Sequence, residues 1–309
     1  MGRNPHDPIR SKTGPPAAST PSSSVSLAMP ESPTDPRLIY APEAAPNWSA
    51  HDERVTTIHL GTPGSDKTLS LTLPPDLATL FPHLTHLRLW NVDVTELPPL
   101  PAGLECLELV KCPRLTHLPE LPQTLEELLL DELPELCGLM LPASFPALWD
   151  ISLKGGAALP QKTLEELLTR SPALRWLDLS RCAGLTAIKS WPATLEKVIL
   201  NDCPNLVALP GNWPPKLRRL DVKESAGLAS LGEEPLPPCM DYLDLRGTTG
   251  LRRLPPRQGH PRTLFIHGSG LELPNELFGE KEDHNSADAV WAHLDSQRTT
   301  EHEVKLILL

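Results

Sequence analysis

The sequence has no uninterrupted apolar run of roughly 18 residues or more, the length a helix needs to cross a bilayer, so no segment is written as a membrane span. Nor has it a basic run: 28 Lys and Arg stand against 39 Asp and Glu, a formal net charge of -11. Such a chain repels phosphate backbones, which argues against nucleic acid or anionic lipid as the main partner. The first residues lack the apolar core of a Sec-type signal peptide. His6 stands where N-myristoylation wants Ser or Thr. There is no Cys-x-x-Cys pair, so zinc is not expected, and the six cysteines read as free thiols of a reducing compartment. Neither Gly-x-Ser-x-Gly nor His-Glu-x-x-His occurs, nor a convincing nucleophile–base arrangement. The expectation is a chain without catalysis, cofactor or small-molecule substrate. Aromatics are scarce at 4%.

Proline is what the chain has in excess. Its 37 prolines are about twice the usual 5% share, so many segments cannot be helix interior. From Met1 to about residue 50 the chain is dense in Pro, Ser, Thr and Ala, centred on Thr20-Pro21-Ser22-Ser23-Ser24. Such a segment buries too little apolar surface to offset its ordering entropy, so residues 1–50 read as a disordered leader. A flexible leader and a secretion or docking signal both fit that composition.

From Leu84 one phrase recurs. Its clearest copy runs Leu104-Glu105-Cys106-Leu107-Glu108-Leu109, followed by Cys112, Leu115 and Leu118-Pro119. Copies open at positions 84, 104, 125, 148, 174, 195, 217 and 240, spaced by 20, 21, 23, 26, 21, 22 and 23 residues, with a degenerate copy at Leu264 and Ile266. That period with a Leu-x-x-Leu-x-Leu core is the signature of leucine-rich repeats. Repetition is physically obligatory. A lone unit of about 21 residues would lose roughly 1–2 kcal/mol of backbone entropy per residue on ordering. Its four or five buried aliphatics return only about 1.5–3 kcal/mol each. Stacked units share one core and fold together.

The fold expected is therefore an α/β repeat: a leucine-rich-repeat solenoid over residues 84–275, with a parallel concave sheet and a mostly extended, Pro-rich convex side. Return segments such as Leu97-Pro98-Pro99-Leu100-Pro101 suit extended structure. The long repeat departs from this, because Gln161 to Arg170 is Pro-free and amphipathic and predicts a helix. Residues 51–83 alternate apolar and polar at Arg54–Leu60 and Thr68–Leu73, as a cap or irregular first repeat would. Residues 276–309 predict a capping helix over Asn285–Gln297, with Asn285 at its N-cap and Ala287, Val290, Trp291 and Leu294 as its apolar stripe. The apolar segment Val304–Leu309 reads as a terminal strand.

Three motifs invite chemistry and resist it. Gly61-Thr62-Pro63-Gly64-Ser65-Asp66-Lys67-Thr68 comes within one residue of a phosphate loop. Asp66 stands where Gly must wrap the anion, and a strand-like run follows where a helix N-terminus should. It reads as a hairpin turn. Cys112, Cys182 and Cys203 fill the same slot of their repeats, where a small side chain satisfies the bend after the strand. A Cys182–Cys203 disulfide is open on distance alone, yet structural thiols are the better reading. His83 and His86 have no third ligand and read as surface histidines.

Binding is expected on the concave face. Side chains flanking the second Leu of each strand point away from the Leu core. The candidate partner-binding set is Arg88, Glu108, Glu127, Trp176, Asp178, Lys197, Arg219, Asp221, Tyr242, Asp244 and Phe265, with His86 and Asp150 in the same columns. Glu108, Asp178, Asp221 and Asp244 make an acidic column beside the basic pair Lys197 and Arg219. Trp176, Tyr242 and Phe265 are large aromatics where a merely solvated sheet has no need of them.

The phrase Leu118-Pro119-Glu120-Leu121-Pro122-Gln123-Thr124-Leu125-Glu126-Glu127-Leu128-Leu129-Leu130 resembles the short, Pro-marked repeats of bacterial type III secreted effectors. The resemblance covers about residues 84–275 and implies a protein-binding scaffold, cytoplasmic or delivered into a host cell. Many such effectors add a ubiquitin-ligase domain with a catalytic Cys, and no such domain follows here. The tail from Leu273 through the Ala287–Leu294 helix to Glu303–Leu309 is similar to the junction of Roco proteins, where repeats lead into a Ras-like GTPase. That resemblance implies the sensor portion of a GTPase regulator, with the chain stopping before the phosphate loop.

Overall fold

The computed structural model describes residues 36–50, 53–156, 159–255, 261–281 and 283–307. Among them, eleven strands pair side by side in one parallel sheet: Leu38–Ala41, Thr57–Gly61, His86–Trp90, Cys106–Val110, Glu127–Asp131, Asp150–Ser152, Trp176–Asp178, Lys197–Ile199, Arg219–Asp221, Tyr242–Asp244 and Thr263–Phe265. Each strand pairs with the next one along the chain, one coil per repeat, which makes the molecule a leucine-rich-repeat solenoid. The register stacks Leu87, Leu107, Leu128, Ile151, Leu177, Val198, Leu220, Leu243 and Leu264 in one file, and all are buried. Leu89, Leu109, Leu130, Leu153, Leu179, Leu200, Val222, Leu245 and Ile266 form the second inward file. Two aliphatic files shared between neighbours are the core that no single repeat closes for itself.

One device recurs at the end of each of the nine strands from His86–Trp90 onward. Two residues past each member of the second file the backbone turns left-handed: Asn91, Lys111, Glu132, Gly155, Arg181, Asp202, Glu224, Gly247 and Gly268 all have φ between 55° and 69°. Six of these nine are not glycine, a conformation that costs about 1 kcal/mol or more at each. The hydrogen bonds give the reason it persists. The N–H of Lys111 donates to Asp131 O at 3.0 Å, Arg181 to Asn201 O at 2.7 Å, and Glu224 to Arg246 O at 2.7 Å. The turn thus carries the inter-coil ladder one step beyond the strand before the chain bends away. Lys111 is half-exposed and among the described residues its ammonium reaches only Glu132, at 4.0 Å, so Lys111→Gly is expected to leave stability unchanged or raise it by up to about 1 kcal/mol, read by urea denaturation.

Between His86 and Phe265 the one helix among the described residues is α2, Gln161–Thr169, in the long repeat where the Pro-free segment predicted it. It buries Leu164, Leu167 and Leu168 against the core and places Arg170 as its C-cap. Elsewhere in that span the return segments are turns and short parallel pairings, such as His117–Glu120 with Gly138–Met140. The bend residues behave as read from sequence. Cys182 and Cys203 are free, and their thiols donate to Leu153 O at 3.1 Å and Leu179 O at 3.2 Å. Ser225 does the same to Leu200 O at 2.6 Å.

The ends differ from the sequence reading. Leu38–Ala41 lies within the expected leader yet pairs with Thr57–Gly61, because Ile39 and Ala41 alternate inward and are buried. Averaging Pro and Ser over fifty residues hid a four-residue strand. Residues 1–35 lie outside the described residues. The segment Gly61–Thr68 is no hairpin: Thr57–Gly61 pairs with His86–Trp90, and Leu69–Ser70 with Val92–Asp93. It is the bend of an ordinary coil, followed by the short helix α1, Leu77–Leu80. At the other end α3 spans Ala287–Ile307, so Val304–Ile307 is helical where a strand was expected; residues 308–309 lie outside the described residues. Asn285 serves both cap and sheet. Its Oδ1 accepts from Ala287 N at 3.1 Å and from Leu264 N at 2.9 Å, while Nδ2 donates to Arg262 O at 2.9 Å. Ala287, Val290 and Trp291 are buried over the last coil. Among the described residues no helix is long and apolar enough to cross a membrane.

Candidate functional site: the concave sheet

The strand register resolves the outward side chains into two rows. The first runs Thr57, His86, Cys106, Glu127, Asp150, Trp176, Lys197, Arg219, Tyr242, Thr263. The second runs His59, Arg88, Glu108, Leu129, Ser152, Asp178, Ile199, Asp221, Asp244, Phe265. All eleven candidate residues therefore lie on one face. Their exposure divides them. Glu108, Asp178, Lys197, Asp221 and Asp244 are buried, the last completely, whereas Arg88, Glu127, Trp176, Arg219, Tyr242 and Phe265 are half-buried. Strands about 4.8 Å apart bring long side chains in adjacent coils into contact, and that contact covers the shorter carboxylates. The acidic column is one row, broken by Leu129, Ser152 and Ile199, and it faces neighbours rather than solvent.

At the amino-terminal end the charges form a closed network. Arg88 Nε lies 3.1 Å from Glu108 Oε2, and Trp90 Nε1 donates to Glu108 Oε1 at 2.7 Å. Arg88 Nη1 is 3.0 Å from His59 Nε2, and His59 packs edge-on against Trp90 with centroids 5.3 Å apart. Burial, then the Arg88 and His86 charges, bring the His59 pKa down to about 4. The ring is neutral at pH 7, so Nε2 accepts from Arg88 and Nδ1 carries the proton, with no partner for it among the described residues. Burial likewise raises the Glu108 carboxyl, against the pull of Trp90 and Arg88.

Midway along the sheet Asp150 is only 7% exposed. Burial and then the Glu127 charge push its pKa up to about 7. Beyond it, Lys154 lies 3.4 Å from Asp131 and 3.5 Å from Asp178. Asp178 Oδ1 also accepts from Ser180 Oγ at 2.6 Å.

The carboxy-terminal half is an interleaved stack of rings and cations. Trp149 meets Trp176 edge-on at 5.3 Å, and Lys197 Nζ sits 5.3 Å from the Trp176 centroid. Arg219 lies 4.0 Å over Tyr242, Tyr242 meets Phe265 at 5.7 Å, and Arg246 lies 4.9 Å over Phe265. Arg219 also pairs with Asp221 at 3.1 Å, and Arg246 with Asp244. The Tyr242 hydroxyl donates to Asp244 at 3.2 Å, and burial followed by the Asp244 charge lifts its pKa to about 12. Long flexible side chains are thereby held in fixed orientations with one ring edge or face left open. Trp149, Lys154 and Arg246 belong to this surface although the sequence reading did not name them. Lys154 and Arg246 stand two residues beyond the second row, where the left-handed turn prolongs the ladder, and reading only the neighbours of the second Leu stops short of them.

Among the described residues no cluster of three or more His, Cys, Asp or Glu side chains is placed to hold a metal ion. No protein-family model matches the chain. The disease resistance protein RPP5 of Arabidopsis thaliana is 34% identical over 189 residues, which are 59% of this chain, and the chain spans 13% of that protein's length. Among solved structures, YopM from Yersinia enterocolitica is 25% identical with a TM-score of 0.37, the match covering 72% of this chain and 58% of that one. The Arabidopsis receptor kinase HAESA, solved with the peptide hormone IDA and the co-receptor SERK1, is 19% identical with a TM-score of 0.37, over 72% of this chain and 41% of that one. The fold assignment rests on the period and strand register of the chain itself.

Proposed function

We propose that the chain is a non-catalytic scaffold that holds a protein partner on the carboxy-terminal half of its concave sheet. The observation that carries this reading is the row Trp176–Lys197–Arg219–Tyr242, with Phe265 and Arg246 beside it. Aromatics and arginines dominate binding energy where they are pre-ordered and partly desolvated, and here each ring is braced by a cation or a second ring before any partner arrives. Bracing lowers the side-chain entropy lost on association. The amino-terminal half, by contrast, spends its charges on one another. Membership among secreted bacterial effectors belongs to the same proposal and is supported by the Leu118–Leu130 repeat wording alone.

The test compares proteins captured by the immobilised chain with those captured by the Trp176→Ala/Tyr242→Ala double variant. Proteins retained by the first should fall at least tenfold on the second while the melting curve of the double variant moves little. The same proteins held equally by both forms would remove the concave stack from the binding surface.

A further inference from the structure

On the opposite side of the coils one cysteine differs from all the others. Cys106, Cys112, Cys182 and Cys203 are buried, and burial first of all pushes their thiols up to between about 11 and about 12. Cys239 is half-buried and donates to Pro215 O at 3.1 Å and Leu217 O at 3.3 Å. Cys137 is exposed, and its sulfur lies 3.8 Å from His117 Nε2. The imidazole is itself held, with Nδ1 3.0 Å from Thr116 Oγ1.

The backbone builds this arrangement. His117 and Gly138 are register partners in the short parallel pair His117–Glu120 and Gly138–Met140. The N–H groups of Cys137 and Gly138 both donate to Thr116 O, at 3.0 and 3.2 Å. The His117 ring lies across Gly138, and a methyl group at that position would overlap ring atom Cδ2. Glycine there is what lets the imidazole reach the thiol. The Cys137 sulfur also lies 3.5 Å from Thr116 O, so its proton has two acceptors, one of which is a base.

We infer that Cys137 is a modification site for thiol–disulfide exchange with low-molecular-weight disulfides, with His117 as the base and Thr116 as the residue that positions it. With its own proton on Nδ1, donated to Thr116 Oγ1, His117 presents the Nε2 lone pair to the sulfur. The Cys137 S–H bond breaks and its proton passes to Nε2. The thiolate sulfur attacks one sulfur of the disulfide, a new S–S bond forms, and the old S–S bond breaks with its electron pair on the departing sulfur. That thiolate takes the proton back from Nε2. Cys137 is oxidised to a mixed disulfide and the other half of the reagent is reduced to a thiol, so no further oxidant enters. The exposure of this thiol suits attack from solvent.

The full-length chain is mixed with 5,5′-dithiobis(2-nitrobenzoate) and the released chromophore is followed in time. One thiol per chain should react in a fast phase that is absent from Cys137→Ser. His117→Gln should slow that phase about tenfold and change its dependence on pH, and Thr116→Val should slow it less. A second probe, iodoacetamide with peptide mapping, locates the modified residue independently of the kinetics. A fast phase that survives Cys137→Ser, or a rate and pH profile unchanged by both His117→Gln and Thr116→Val, overturns the inference.

Discussion

Gly227→Ala is expected to destabilise the solenoid by about 3 kcal/mol, the upper part of the range for forcing atoms into a filled interior. In the last coils the residue before the inward leucine is glycine: Gly227 before Leu228, Gly250 before Leu251, Gly270 before Leu271. An added methyl at each would run into a backbone carbonyl oxygen of the preceding coil, that of Pro204, Ala226 or Thr249. A backbone carbonyl cannot swing aside as a side-chain tip can. At Gly227 the methyl would also sit 3.3 Å from Leu206 O, so the coils must part along the whole bend. Because each coil is stable only through its neighbours, parting them weakens the chain on both sides. Gly103→Ala is the control, since nothing lies within 4 Å of its added methyl. That substitution should be neutral or stabilise by up to about 1 kcal/mol. Equal urea midpoints for the two variants would show that the close approach at Gly227 has no energetic weight.

The sequence made the coil legible because its signal is summed over many repeats. Each Leu-x-x-Leu-x-Leu phrase is weak, but eight at nearly one period leave no other packing that buries all of them. The outward columns followed from strand alternation, and the register places every named candidate on one face. Burial within those columns was not legible. Whether Asp244 meets water depends on Tyr242 and Arg246 folding over it, and side-chain reach across coils is a property of the stack rather than of any one repeat. The left-handed turns were hidden for a related reason. Lys111, Glu132, Arg181 and Glu224 carry no local signature for positive φ; the inter-coil hydrogen bonds impose it. The ends misled in opposite directions. Leu38–Ala41 is too short to outweigh its Pro-rich surroundings, and Val304–Ile307, apolar and β-branched at its start, continues the helix that precedes it.

Asp150→Asn is expected to stabilise the folded chain at about pH 8 and to leave it nearly unchanged at about pH 4. The native carboxyl titrates near 7, against 3.8 for the free side chain, because it is buried and lies beside Glu127. Between those values the folded state holds a proton that the unfolded state has released. The Asp150 contribution to stability is therefore complete below about 4 and is lost as pH rises through about 7. Three pH units of displacement set a ceiling of about 4 kcal/mol on the gain from a side chain that never ionises. His59 tilts the other way. Its folded value of about 4 lies below the ordinary 6.5, so the unfolded state binds the extra proton and stability falls as pH drops from about 6.5 toward 4. In the native chain the two slopes oppose each other across that interval; the asparagine variant loses the Asp150 slope and keeps the rest, so its melting temperature should climb from about pH 4 to 6.5 more steeply than the native one. Melting curves at intervals from about pH 4 to 8 read both effects at once, and parallel curves for the two proteins would mean that Asp150 is ionised in the fold as freely as in water.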